Sequence, residues 1–186
     1  MTVKKINALC TWVLTALLLS HITLTVIFML TGWYNLKMLI VTSRGTALLC
    51  ILHVLISLFV LFFLHDGTDM SSYAGLNRKT IIQRATGLGI LALVHPHTSI
   101  FKSFIYEFKP ITVPVKILTF VVESLFFFVV FCHLAVSFSG SFVTMGLIRS
   151  DTAEERLHKV SVAICIAGLA ASVISLAVFL VKWPTA

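Results

Sequence analysis

The chain has 186 residues, 59% of them hydrophobic and 11% charged, with a net charge of +7. Soluble domains run at about 45–50% apolar and about 25% charged, so this composition excludes a soluble enzyme and leaves no room for a soluble catalytic domain. The basic residues lie between apolar runs, which reads as anchoring of helix ends at lipid head groups rather than nucleic-acid binding.

A membrane span needs about 20 mostly apolar residues. The sequence predicts five, over 9–30, 45–64, 83–101, 113–146 and 160–181, in a single domain covering 1–186. The first run follows Lys4 and Lys5 as a signal peptide would. It outlasts the usual apolar region of about 7–15 residues and has no small-residue cleavage site, so it reads as a retained helix. The fourth run is longer than a bilayer requires and is expected to tilt or to project into water. Backbone groups in lipid must be satisfied within their own segment, so the expected fold is all-α, an integral membrane five-helix transmembrane bundle. Continuous apolar runs are not the alternating pattern of an outer-membrane barrel.

Lys and Arg counts set the expected orientation. Lys4, Lys5, Arg78, Lys79, Arg84, Arg149, Arg156 and Lys159 fall on the N-terminal side; Lys37, Arg44, Lys102, Lys109, Lys116 and Lys182 fall on the other. Eight against six favours a cytoplasmic N-terminus. Cys10, Cys50, Cys132 and Cys165 all lie inside apolar runs without CxxC spacing and read as small buried hydrophobes.

Histidine placement is the most informative feature. His21 lies in the first run, His53 in the second, His95 and His97 in the third and His133 in the fourth, whereas His65 and His158 fall at helix ends and read as interfacial. One membrane histidine can simply bond a neighbouring helix. Histidines in four of five helices suggest ligation instead, since neutral imidazole is both the metal-binding form and the form cheapest to bury. Two histidines on two helices can bind one haem iron from opposite faces, so four suggest two bis-histidine haems b. Zinc is disfavoured, because no cysteine, carboxylate or third histidine stands at ligand spacing.

At helical offsets from these histidines lie small and polar residues: Gly89, Thr86 and Gln83 before His97; Ser137, Gly140, Ser141 and Thr144 after His133; Thr46, Cys50 and Ser57 around His53; Thr25 after His21. Such stripes admit a porphyrin or another helix equally well. Pro96 is expected to kink the third helix, and His95 and His97 point to nearly opposite sides of it. Glu123, inside an apolar run, is a candidate proton acceptor that could instead snorkel to the interface.

Gln83-Arg84-Ala85-Thr86-Gly87, with His97 ten residues later, resembles the Q-R-x-T-G…H signature of the cytochrome b membrane subunit of succinate:quinone oxidoreductases, in the single-chain, five-helix, two-haem form that also serves quinol:fumarate reductases. His133 with Val143-Thr144-Met145-Gly146 is similar to that family's fourth-ligand helix, and His21 and His53 stand where its first two ligands stand. The resemblance covers almost the whole chain. It implies iron ligation by His53 and His133 in an inner haem and by His21 and His97 in an outer haem, with Gln83, Arg84, Thr86 and Ser137 lining, and Arg84 available to a haem propionate. It further implies a membrane quinone substrate, menaquinone, and iron–sulfur and flavoprotein partner subunits docked on loops 65–79 and 149–159 in a bacterial inner membrane, as part of a respiratory chain and the tricarboxylic acid cycle. Dicarboxylate chemistry would belong to the flavoprotein. The sequence departs from the family in having no acid between 32 and 43 and in placing Phe131-Cys132 before His133; Glu107 and Glu123 are acids at other positions. Two other readings stand beside it: the anchor of a hydrogenase or nitrate-reductase type complex, and a haem-free small membrane protein whose histidines bridge helices.

Overall fold

The computed structural model describes residues 2–63, 74–104 and 110–185. His65, Glu107, Lys109 and most of the loop 65–79 lie outside the described residues. The chain folds into five helices, α1 (Val3–Thr31), α2 (Leu36–Phe63), α3 (Ala74–Lys102), α4 (Val113–Met145) and α5 (Asp151–Lys182). All-α architecture is as the sequence predicts. Four of the helices, α1, α2, α4 and α5, are long and apolar enough to cross a membrane, the pattern of a multi-pass membrane protein. Helix α3 is as long as its neighbours, but His95, Pro96, His97, Thr98 and Ser99 dilute its apolar content.

Helices α1, α2, α3 and α5 begin earlier than the apolar runs predict, and α4 begins at the predicted Val113. Helix α2 starts at Leu36 rather than 45, because Thr42 and Ser43 return their hydroxyls to Met38 and Ile40 carbonyls and so travel inside a helix without unmet donors. Helix α5 starts at Asp151 rather than 160. Ser150 caps it by accepting from the Ala153 N–H at 3.3 Å, and Asp151 and Glu154 complement the positive end of its dipole. Gly32 and Gly146 end α1 and α4 in the left-handed conformation, at φ 75° and 78°.

Successive helices run up and down. On α3 and α4, Gly87 meets His133, Gly89 meets Val129 and His97 meets Glu123, an antiparallel register. Gly45 of α2 lies on Leu17 of α1, and Asn7 reaches Ser57. Helix α1 also packs on α4 and α5, and α4 on α5, whereas among the described residues α2 packs on α1 alone. Helices α2 and α3 therefore flank a gap rather than close on each other.

The interior and exterior are inverted relative to a water-soluble bundle. Ser137, Ser139, Ser141, Ser161, Ser172, Ser175, Thr15, Thr119 and Glu123 are buried, while Leu48, Leu88, Leu118 and Val181 are exposed. Small polar residues let helices approach closely in lipid, where aliphatic side chains gain nothing by turning inward. Close approach is literal at Gly168, where an added Cβ would stand 2.6 Å from the Phe131 ring. At the end of the bundle opposite the N-terminus, Phe28, Met29, Phe101, Phe104, Leu176, Phe179 and Leu180 form one buried cluster, joined by Trp183. Lys116 closes that end, donating to the Trp183 carbonyl and, at 2.8 Å, to Thr185 Oγ1. Exposed Trp33 and Tyr34 lie there too, as aromatic residues do at a membrane interface.

Candidate functional site

Four helices bring four histidines into two groups. His53 of α2 and His133 of α4 are close enough to interact electrostatically, as are His21 of α1 and His97 of α3. His133 and His97 occupy different levels of the bundle. His133 and Glu123, which contacts His97, are ten residues apart on α4. At about 1.5 Å of rise per residue, these two positions on α4 are separated by about 15 Å.

At the first level the His133 ring rests against Gly87. Its Nδ1 lies 3.1 Å from the Gln83 carbonyl and 3.0 Å from Thr86 Oγ1. A carbonyl oxygen only accepts, so Nδ1 carries the proton. The Thr86 hydroxyl is already committed as a donor to the Ile82 carbonyl at 2.6 Å. Nε2 of His133 therefore carries the lone pair and has no partner among the described residues. His53 is set in the same sense: Thr11 donates its proton to the Asn7 carbonyl at 2.9 Å, so its oxygen accepts from His53 Nδ1 at 3.4 Å. Around these residues α1 to α4 leave a polar cleft of about 240 Å³, lined by Asn7, Thr11, His53, Gln83, Ser137 and Ser141 among others. The small residues that follow His133 in sequence, Ser137, Gly140, Ser141 and Thr144, all line it.

At the second level His97 Nδ1 donates to Glu123 Oε2 at 2.7 Å. Glu123 is fully buried, so it does not snorkel, and its second oxygen has no partner among the described residues. The imidazole stacks on Phe126 with centroids 4.4 Å apart and packs tilted against Phe101. Its Nε2 has no partner among the described residues. His21 differs, because its Nδ1 is buried with no partner among the described residues.

Several expectations about neighbours move. Gln83 and Thr86, on one stripe with His97 by sequence, serve His133 instead, and Gly89 receives Val129. The antiparallel register of α3 against α4 decides this, and it is invisible in either helix alone. Arg84 is exposed and does not line the cleft. His95 is exposed while His97 faces α4. Thr11, Asn7 and Phe126 were not anticipated. The first two lie ten and fourteen residues before His21, offsets that continue its helical face. The four cysteines are free thiols, and His158 is half-buried near the start of α5.

Among the described residues no cluster of three or more His, Cys, Asp or Glu could hold a bare metal ion. A haem would need only two histidines from the protein to hold it. Three of the four histidines present the required tautomer, with Nδ1 bonded and Nε2 open. Compared with family models, curated proteins and solved structures, the chain gives no match.

Proposed function

We propose that the chain is a dihaem b membrane cytochrome, the anchor and electron-transfer subunit of a succinate:quinone oxidoreductase or quinol:fumarate reductase. One observation carries the haem reading: inward histidines on four helices, three of which, His53, His97 and His133, have Nδ1 engaged and Nε2 without a partner among the described residues. The resemblance around Gln83–Gly87 and His133 supports the assignment to this class of complex.

His53 and His133 would hold the haem nearer the N-terminal end, and His21 and His97 the other. A bound haem b supplies one-electron chemistry at its iron. The chain's own residues hold the imidazoles. The Gln83 carbonyl and Thr11 fix the tautomers at one level, and Glu123 and Phe126 fix ring and tautomer at the other. Apolar packing flanks His97, with Phe101 and Phe104 in one cluster and Val130, Phe131 and Leu134 in another. Two levels whose α4 positions stand about 15 Å apart would give electrons a path along the bundle axis between a membrane quinone and a partner at the N-terminal end.

The larger basic count at that end favours a cytoplasmic placement in a bacterial inner membrane. Residues 149–159, with Glu154 tied to Lys79 at 3.1 Å, form the platform proposed for the iron–sulfur subunit. The flavoprotein would handle the dicarboxylate. A reduced-minus-oxidised visible spectrum of the full chain, purified from haem-replete cells, tests the proposal. Two low-spin b-type haems per chain, with iron–sulfur and flavin polypeptides co-purifying, are expected. A colourless protein would overturn it.

A further inference from the structure

The two levels differ in the charge placed behind the histidine, and this has a consequence for any iron they hold. Resting on the dihaem reading above, we infer that Glu123 is a positioning residue. It orients His97 and lowers the reduction potential of the haem bound by His21 and His97 relative to the one bound by His53 and His133. The Glu123 carboxyl is fully buried, and its Oε2 accepts from His97 Nδ1 at 2.7 Å. Negative charge on the far side of an imidazole raises its donor strength at Nε2. A stronger donor, with a fixed anion behind it in a low-dielectric interior, favours ferric over ferrous iron. His133 has only a carbonyl and a hydroxyl at the same position, and both are neutral. Stacking on Phe126 and packing on Phe101 hold the imidazole plane, so the carboxylate has little freedom to swing away.

The full chain and its Glu123→Gln and Glu123→Asp variants would be purified from membranes of haem-replete cells, their haem counted, and each titrated at equilibrium with redox mediators. The amide keeps the hydrogen-bond acceptor and removes the charge. In Glu123→Gln the component that disappears in His97→Ala is expected to rise in potential. At the wild-type midpoint its reduced-to-oxidised ratio should increase about tenfold, equivalent to about 59 mV for one electron. The other component should not move. In Glu123→Asp, which keeps the charge but draws it back by one methylene, the same component should shift upward by less. Two haems present with neither potential moved in Glu123→Gln would overturn the inference and leave the haem reading standing. A wild type whose two haems titrate together would overturn it as well. If Glu123→Gln does not accumulate, Glu123→Asp decides: an upward shift of the His97 component supports the role, and an unmoved potential refutes it. A wild type without haem would overturn the dihaem reading itself.

Discussion

At the level of His53 and His133 the polar partners are neutral, a backbone carbonyl and threonine hydroxyls, and a cleft opens beside them toward the N-terminal end. At the level of His21 and His97 the partner is a buried carboxylate, the flanking groups are phenylalanines, and an aromatic cluster lies between the site and the far end. The same residue type thus sits in two electrical environments within one bundle. Neutral bonds at the first level allow polar surroundings to share the work. At the second, one hydrogen bond to a carboxyl carries nearly all of the polar satisfaction, so its loss should be felt more sharply.

The largest expected effect is at Glu123. Replacing it with alanine leaves a buried imidazole N–H without its partner, which costs about 3 kcal/mol. Chemical denaturation in micelles checks this, and a cost no greater than that of Thr86→Val would erase the contrast between levels. Next is Gly89→Val. Even a Cβ at 89 would stand 2.9 Å from Val129 Cγ1, and overpacking costs about 1–3 kcal/mol. Because Gly89 lies on the α3–α4 seam between the levels, both should loosen together, read as parallel losses in the thermal stability of the two sites. Thr86→Val removes one of two oxygens near His133 Nδ1 and should cost about 1 kcal/mol, because the Gln83 carbonyl remains. Lys79→Ala breaks a part-exposed ion pair with Glu154 and should cost only about 0.3 kcal/mol, with no change at either histidine level.

How much of this was legible in the sequence follows from what each feature depends on. Apolar runs and membrane thickness predict the helices, and the structure has a helix at each predicted place. The starts at Leu36 and Asp151 were hidden because Thr42, Ser43 and Arg44, like Glu154, Glu155 and Arg156, read as polar breaks. Serine and threonine hydroxyls bonded to their own helix remove that penalty. Inward histidines were legible from depth and spacing, and His97 was separable from His95 by its side of α3. The partners were not. That Glu123 answers His97, and that Gln83 answers His133, depends on the register between α3 and α4, which Gly87 and Gly89 set by letting those helices approach.

The central claim is that four histidines act as two pairs, one per level. The most direct measurement is haem content and spectral components in four single variants of the full chain: His21→Ala, His53→Ala, His97→Ala and His133→Ala. The account predicts that His53→Ala and His133→Ala lose one and the same b-type component, and that His21→Ala and His97→Ala lose the other. Retention of both haems in all four variants, or loss of a common component by His21→Ala and His133→Ala, would contradict it.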